Sequence, residues 1–211
     1  MTRIEKIAAQ PDRAGRYTVK MEDGTVLRLY RQTIQDFGLY SGKEMLDEEL
    51  ENLQKAAGQM SAKMRAVRIV SASGVSKADL ERRLVQKGEH KQDAQQAVAW
   101  LADLELLDDQ KIAQQVVQKC IAKGYGLSRA KQALFEKRVP KEYWEDALAD
   151  YPDQTEKITE FLQTRLQDSR DEKQLRRAMD ALLRRGHSYQ EIRRALRNLD
   201  ENADFQEEYY G

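Results

Sequence analysis

An internal repeat constrains this chain more than any other feature of its sequence. Three segments of similar pattern follow one another at offsets of 50 and 48 positions, and their turns are Lys87-Gly88, Lys137-Arg138 and Arg185-Gly186. Each segment is shorter than a typical independent domain and cannot bury a sufficient core alone. The sequence therefore predicts an array of repeats that pack on their neighbours.

Matched positions of the three repeats carry side chains of similar chemistry. Leu84, Leu134 and Leu182 end one helix of each repeat, and another helix follows the turn. The apolar faces of these following helices consist of Ala94, Val98 and Leu101, of Trp144, Leu148 and Tyr151, and of Ile192, Leu196 and Leu199. A further helix precedes each pair, over positions 62–71, 108–123 and 155–167. Each repeat is thus predicted to contain three helices of roughly 10–16 residues.

The turn before the last helix differs in the middle repeat. Gly88 and Gly186 match the left-handed position that ends many helices, where the missing Cβ removes a steric penalty. Arg138 occupies this place in the middle repeat. It is predicted either to adopt the left-handed conformation at some cost or to end the helix differently.

The first 30 residues alternate in the manner of β-strands. The predicted strands occupy positions 2–7, 17–22 and 25–30 and form a three-stranded antiparallel sheet. Asp23-Gly24 predicts a hairpin with a type I′ turn. In the simplest register Leu27 and Leu29 lie on the face opposite Val19, so either both faces are partly covered or a bulge intervenes.

The predicted fold is mostly α, an elongated array of three three-helix repeats preceded by a small antiparallel β-sheet module. A short helix over 32–37 follows the sheet, and Ser41 with Glu44 at the capping-box spacing is predicted to begin the next helix. The predicted boundaries are 1–57 for the sheet module with its helices, then 58–107, 108–153 and 154–211 for the repeats, the last with an acidic tail.

Composition favours a solvated, helix-rich protein. Hydrophobic residues make up 40% of the chain and charged residues 34%, which suits an array that needs little core per residue. Cys120 is the single cysteine, which excludes an intrachain disulfide and is typical of a reducing cytoplasm. No signal peptide is recognised, and no apolar run approaches the about 20 residues that span a bilayer. We expect a cytoplasmic monomer without membrane contacts.

The net charge is zero, but positive and negative charges alternate with the period of the repeat. Positions 60–91 carry eight basic and three acidic residues, and positions 92–109 carry five acidic and none basic. A similar alternation recurs in the second and third repeats. Either stacked repeats present a basic and an acidic stripe, or the acidic end of one repeat docks on the basic start of the next.

Residues able to carry catalysis or hold a metal are few. His90 and His187 lie beside helix-ending turns and are interpreted as exposed turn residues. Cys120 lies among apolar positions of a helix and is interpreted as a small buried hydrophobic residue. Asp108-Asp109 begins a helix, where it complements the helix dipole and offers a capping side chain, and Gly124-Tyr125-Gly126 is too short to cradle a phosphate. The sequence predicts a binding protein that is not an enzyme and has no cofactor or metal.

Two basic clusters are the candidate binding surfaces. A tyrosine among basic residues can stack on a base or pack into a protein interface, although Tyr125 could equally pack on its own helix pair. Arginine enrichment favours bidentate contacts with carboxylate or phosphate groups, although a solvated helix face explains it equally well. The first cluster contains Lys119, Lys123, Tyr125, Arg129, Lys131, Lys137 and Arg138, and the second contains Arg176, Arg177, Arg184, Arg185, Arg193, Arg194 and Arg197.

The residues around the second turn resemble the central motif of the RecX family, which has a Leu/Phe-Asp-Asp helix start, a Lys/Arg-Gly-Tyr/Phe-Gly turn and a Leu-x-x-Lys-Gly helix end. Here the motif reads Leu106-Leu107-Asp108-Asp109, then Lys123-Gly124-Tyr125-Gly126, then Leu134-Phe135-Glu136-Lys137. Arg138 replaces the usual glycine. The family's C-terminal turn is similar to Arg184-Arg185-Gly186-His187, with His187 where an aromatic residue is usual. The resemblance covers about positions 60–199, and the front sheet is similar to that of longer members from Gram-positive bacteria.

This resemblance implies a function that the residues alone do not specify. RecX proteins bind the RecA nucleoprotein filament, are thought to lie in its helical groove, and inhibit or tune its ATPase, strand-exchange and coprotease activities. They also bind single- and double-stranded DNA. The resemblance implies a mainly inhibitory role in homologous recombination, DNA repair and the SOS response. Without it, the residues also allow a DNA-binding helical repeat protein that acts independently of RecA.

Overall fold

The chain folds into helices and a small sheet that form two compact units, Met1–Leu107 and Asp108–Gly211. A computed structural model describes residues 1–166 and 171–210, with side chains up to residue 199, so the side chains of the predicted acidic tail lie outside the described part. The first unit contains β1 (Thr2–Ile7), β2 (Arg16–Met21), β3 (Val26–Tyr30), α1 (Arg31–Asp36), β4 (Glu44–Met45), α2 (Asp47–Ala72), α3 (Lys77–Gln86) and α4 (Lys91–Asp103). The second unit contains α5 (Asp109–Ala122), α6 (Leu127–Glu136), a short 3-10 helix (Lys141–Tyr143), α7 (Trp144–Leu148), α8 (Thr155–Leu166), α9 (Glu172–Arg184) and α10 (Tyr189–Tyr210). The mostly helical class with an antiparallel sheet is confirmed.

The sheet has four strands in the order β3-β2-β1-β4, one more than predicted. The additional strand β4 pairs with β1 through residues that were expected to be helical. Ser41 does not cap a helix; its hydroxyl accepts a hydrogen bond from the Ile7 amide at 3.3 Å. The next helix, α2, begins instead at Asp47, where three acidic residues in the first turn complement the helix dipole.

The β2–β3 hairpin is present, but its turn and register differ from the simplest prediction. Gly24 has a positive φ of 86°, whereas Asp23 does not, so the turn is not type I′. The longer turn shifts the pairing so that Leu27 lies opposite Val19. Leu29 is then buried together with Val19 in the core under the sheet. The longer turn therefore brings Leu27 and Leu29 to the same face as Val19, with continuous pairing along β2 and β3.

Helix α2 connects the sheet to the first repeat, because it contributes to both cores. Leu53, near its beginning, is buried with the sheet residues. Ala62 and Ala66, further along, are buried with Leu80, Leu84 and their neighbours in the first repeat. The sheet module and the first repeat thus share one helix of 26 residues. The domain boundaries given above stay predictions.

The third helix of the second repeat is much shorter than predicted. Helix α7 has five residues and follows Pro140 and the 3-10 helix. Pro152 disfavours helical backbone at the preceding Tyr151, which ends the segment. The predicted apolar face nevertheless packs as expected, because Trp144, Leu148 and Tyr151 contact the buried cluster of this repeat.

Candidate functional site

The turn of the second repeat packs directly against the turn of the third. The Gly126 amide donates to the Arg185 carbonyl at 3.0 Å, and the Ser128 amide donates to the Gly186 carbonyl at 3.3 Å. A Cβ on Gly126 would collide with the Gly186 carbonyl. The segment around Tyr125 is therefore a packing element between two repeats. This packing explains the glycine at position 126, whereas Gly124 has a positive φ of 62°.

His187 lies in this packing and is buried, so its interpretation as an exposed turn residue was wrong. Only 4% of it is exposed, and its Nε2 donates to the Gly124 carbonyl at 3.0 Å. Burial lowers the pKa of the imidazole, opposed in part by the Gly124 hydrogen bond. Its Nδ1 has no hydrogen-bond partner among the described residues. The signal that could have revealed this burial is the aromatic residue usual at this place in the family.

Several neighbouring groups hold the same turn in place. The Tyr151 hydroxyl donates to the Tyr125 carbonyl at 2.6 Å, and burial raises the pKa of Tyr151 to about 12. The Lys157 ammonium donates to the Ile121 carbonyl at 2.8 Å. Cys120 is buried, as predicted, and burial raises the pKa of its thiol. The thiol is therefore a packing group rather than a reactive nucleophile.

Two predictions about helix ends in the second unit are confirmed. The Asp108 carboxylate caps α5 by accepting a hydrogen bond from the Lys111 amide at 2.9 Å. Arg138 adopts the left-handed conformation, with φ of 53°. The first alternative considered for Arg138 is thus correct, and the repeat keeps its turn without a glycine.

A basic groove of about 540 Å³ opens beside the packed turns, between the end of α5, helix α8 and the end of α9. Phe161 lies in its wall, with the guanidinium carbon of Arg185 at 4.7 Å and that of Arg165 at 5.6 Å from the ring centroid. Glu160 is the carboxylate among the lining residues of the described chain. The basic lining residues are Lys123, Lys157, Arg165 and Arg185. We call this the α8 groove; its excess of positive charge suits an anionic partner.

The structure brings two of the predicted binding residues, Lys123 and Arg185, into the α8 groove. Sequence reasoning missed Lys157, Phe161 and Arg165, which recur at i, i+4 and i+8 on α8. This spacing places them on one helix face, beside the buried Ile158 and Leu162. The same spacing, set beside a repeat turn, could have revealed them.

The other predicted binding residues are not among those that line the groove. Arg129 pairs with Glu136 at 2.9 Å, which raises the pKa of its guanidinium. Arg194 pairs with Asp153 at 3.2 Å, and Arg193 lies over the Tyr189 ring. Lys137 is half-buried, and the remaining residues are exposed: Lys119, Lys131, Arg138, Arg176, Arg177, Arg184 and Arg197. Their part in binding stays a prediction.

The position after each helix-ending leucine carries an exposed apolar side chain. Val85 is 42% exposed, Phe135 is 70% exposed and Leu183 is 44% exposed. Phe135 lies on α6, between Lys131 one turn before it and Arg138 just after the helix. An exposed aromatic ring among basic residues is typical of a protein-binding surface.

The described part of the chain contains neither a cluster of metal ligands nor a membrane-spanning helix. Across residues 1–166 and 171–199, no group of three or more histidine, cysteine or acidic residues is placed to hold a metal ion. None of the described helices combines the length and apolarity that crossing a bilayer requires.

Known sequences related to this chain are regulatory proteins. No protein-family model matches the chain. It is 27% identical to the regulatory protein RecX of Vibrio parahaemolyticus over 152 residues, 71% of this chain and 98% of the relative. It is 26% identical to the regulatory protein RecX of Streptococcus mutans over 198 residues, 91% of this chain and 77% of the relative.

Solved structures share its fold. A crystal structure of a regulatory protein RecX matches with a TM-score of 0.61 at 20% identity, covering 92% of this chain and 98% of that one. The crystal structure of RecX from Lactobacillus salivarius matches with a TM-score of 0.58 at 24% identity, covering 69% of this chain and 98% of that one. The fold of this chain therefore occurs in solved structures.

Proposed function

Because the chain belongs to the RecX family, we propose that it regulates the RecA recombinase by binding the RecA filament assembled on DNA. Bound there, it restrains ATPase, strand exchange and coprotease activity, and so acts in recombination, DNA repair and the SOS response. It does so as a cytoplasmic monomer through surface contacts, without chemistry of its own.

The observation that carries this proposal is the exposed face of α6. Phe135 is 70% exposed, more than Leu127 at the start of the same helix (38%), whereas Leu134 beside it is fully buried. Burying such a ring contributes about 1.5–3 kcal/mol, and the neighbouring Lys131 and Arg138 can steer an acidic partner surface onto it. An aromatic anchor with a charged surround is the arrangement found at protein-interface hot spots.

The third repeat offers the same combination. Leu183, matched to Phe135, is exposed and is followed by Arg184 and Arg185. A partner made of repeating subunits, such as a filament, presents the same surface many times. A chain that displays one contact type in more than one repeat suits such a partner, because several weak contacts add to a strong one.

The test is RecA ATPase on single-stranded DNA with increasing amounts of the chain. Wild type is expected to lower the ATPase at near-stoichiometric ratios. The Phe135→Ser variant is expected to require about tenfold more protein for the same inhibition, because it loses about 1.4 kcal/mol or more of binding free energy. Phe135→Leu, which keeps an apolar side chain, is the matched control and is expected to stay within about threefold of wild type.

The two parts of the proposal fail separately. If wild type leaves ATPase and strand exchange unchanged over a wide concentration range, regulation of RecA is wrong. If wild type inhibits but Phe135→Ser inhibits equally well, the α6 surface is wrong and the regulation stands. The exposed ring touches no core, so both variants are expected to unfold at the wild-type urea midpoint.

Direct binding to DNA without RecA is the second candidate function, and the α8 groove favours it through its excess of basic residues. It predicts tight DNA binding that weakens steeply with salt. Charge reversal of Lys123 and Arg165, which line the α8 groove and lie outside the proposed RecA contacts, separates the two functions. Loss of DNA binding with intact inhibition of RecA would assign the two partners to different surfaces.

A further inference from the structure

We infer that a second basic groove, in the first unit, binds the phosphate groups of a nucleic-acid backbone. It has a volume of about 430 Å³ and lies between the β2–β3 hairpin, helix α2 and the end of α3. Its basic lining residues are Arg16, Arg65, Arg68, Arg83 and Lys87, and within the described chain no carboxylate lines it. We call it the α2 groove. The choice of nucleic acid as ligand rests on the proposed function, which places the chain on a nucleoprotein filament.

The α2 groove and the α8 groove occupy the same place in their repeats. Lys87 lines the first and Arg185 lines the second, and each immediately precedes the glycine of its repeat turn. In both grooves, one wall is the first helix of the repeat and another is the end of its second helix. The two grooves therefore follow from the repeat itself.

The first helices of the two repeats support the same correspondence. Ala62 and Ala66 of α2 are fully buried, as are Ile158 and Leu162 of α8, and both pairs are four positions apart. When these buried pairs are aligned, Arg65 corresponds to Phe161, and Ile69 corresponds to Arg165. Each of these four residues lines the groove of its own repeat. The third wall comes from the preceding module, which is the β2–β3 hairpin in one case and the turn of the second repeat in the other.

The arginines of the α2 groove are held in place by neighbouring protein groups. Arg68 donates from Nη2 to the Tyr30 hydroxyl and from Nε to the Met64 carbonyl at 3.1 Å. Arg65 pairs with Glu89 at 2.7 Å and donates to the Lys87 carbonyl at 3.0 Å. A guanidinium has five N–H groups, so these contacts leave donors for a ligand. Side chains already fixed lose less conformational entropy when an anion binds.

Part of the positive charge in the α2 groove is not neutralised by the protein. Arg16 pairs with Asp12, and Arg83 pairs with Asp79. In the described chain, by contrast, no carboxylate lies within ion-pair distance of Arg68 or Lys87. These two residues are the sites at which an incoming phosphate meets the least compensated charge.

The lining chemistry favours a phosphodiester backbone over an acidic peptide. Every nucleotide of a nucleic-acid strand carries a phosphate, so a strand lying in the groove presents negative charge along its whole length. Phosphate oxygens also match the planar fork of arginine donors.

The test is binding of the full chain to fluorescent oligothymidylate in the absence of RecA, measured by anisotropy at several salt concentrations. The double variant Arg68→Gln with Lys87→Gln is expected to weaken binding by about tenfold. It is also expected to reduce the slope of log K against log salt by about one to two. The matched control, Lys20→Gln with Lys55→Gln, removes the same charge from exposed positions outside the groove and is expected to retain most of the binding.

Three results would overturn the inference. In the first, the groove double variant binds the oligonucleotide as tightly as wild type. In the second, the control variant loses as much binding as the groove variant. In the third, poly-glutamate displaces the oligonucleotide as effectively as unlabelled oligothymidylate does. If the double variant does not fold, Lys87→Gln alone decides the question, because no side-chain hydrogen bond is recorded for this exposed lysine within the described chain. It is expected to bind about threefold more weakly than wild type, and wild-type binding would overturn the groove.

Inhibition of RecA ATPase by the same variants separates this inference from the proposed function. A groove variant that inhibits RecA but has lost oligonucleotide binding supports both statements. A wild-type chain that binds oligothymidylate through the α2 groove but leaves RecA unaffected overturns the proposed function and keeps the groove.

Discussion

The Gly88 turn of the first repeat and the Gly186 turn of the third have the same backbone conformation in different surroundings. Their φ angles are 90° and 86°. A Cβ on Gly88 would meet no atom within 4 Å, whereas a Cβ on Gly186 would overlap the backbone of Arg129. Because both glycines have a positive φ, this backbone conformation is required by the end of the helix and not by the surroundings of the turn. The need for empty space at Gly186 comes from packing between repeats.

The same contrast applies to how each repeat meets the module before it. The first repeat meets the sheet through side chains, such as the hydrogen bond from Arg68 to the Tyr30 hydroxyl. The third repeat meets the second through backbone hydrogen bonds, such as that from the Gly126 amide to the Arg185 carbonyl. Backbone contacts tolerate no added atoms, so substitutions at this junction are expected to have the larger effects.

The largest effect is expected for Gly126→Ala. The new Cβ would collide with backbone atoms of Gly186 and His187, which cannot move away as a flexible side chain can. The free energy of unfolding is expected to fall by about 3 kcal/mol or more, measured by urea denaturation. Gly58→Ala is the control. The new Cβ there meets only the carboxylate end of the Asp93 side chain, and alanine has a higher helix propensity than glycine within α2. A loss for Gly126→Ala no larger than that of the control would contradict the packed junction.

The next effect is the difference between Gly186→Ala and Gly88→Ala. Both substitutions place a side chain at positive φ, which costs about 1–2 kcal/mol. Gly186→Ala adds the overlap with Arg129 and is expected to lose at least about 1–3 kcal/mol more. Paired urea titrations measure the difference. Equal losses would show that the two turns have the same surroundings.

The pH dependence of stability tests the burial of His187. Burial lowers the pKa of this imidazole in the folded chain, so the unfolded chain binds the proton more readily. Its contribution to stability is therefore present above the unfolded pKa of about 6.5 and is lost as the pH falls below it. Wild type is expected to lose stability by up to about 1.4 kcal/mol per pH unit in this range. His187→Phe is expected to show a flatter profile, and parallel profiles would contradict the buried neutral imidazole.

The smallest effect is expected at the middle turn. Arg138 stands at φ of 53°, where glycine has no steric penalty. Arg138→Gly and Arg138→Ala remove the same side-chain interactions, but only glycine relieves the backbone. Arg138→Gly is therefore expected to be more stable than Arg138→Ala by about 1 kcal/mol in thermal unfolding. An alanine variant as stable as the glycine variant would show that the turn relaxes.

The elements with strong periodicity were predictable from the sequence, and those set by tertiary contacts were not. The repeats follow from apolar spacing, so Leu84, Leu134 and Leu182 were placed correctly near the ends of their helices, where the structure buries them. The start of α2 was missed because Ser41 and Glu44 have the spacing of a capping box. In the structure this segment instead pairs with β1, which is far away in sequence. Pairing over long sequence distances leaves no local pattern.

The candidate site was only partly predictable for a similar reason. Lys123 and Arg185 were found because they lie beside the turns that define the repeat. The cations of the α2 groove were missed, since Arg16 and Lys87 are 71 positions apart in the chain and meet through the packing of the hairpin on α2. His187 was misplaced because a histidine beside a turn was interpreted as exposed, although the aromatic residue usual at this place in the family indicated a buried position.

Binding to the RecA filament is tested most directly by co-sedimentation of the chain with RecA filaments assembled on single-stranded DNA. Wild type is expected to enter the pellet with the filaments, and Phe135→Ser is expected to remain largely in the supernatant. A wild-type chain that stays in the supernatant over a wide range of filament concentrations would contradict binding to the filament.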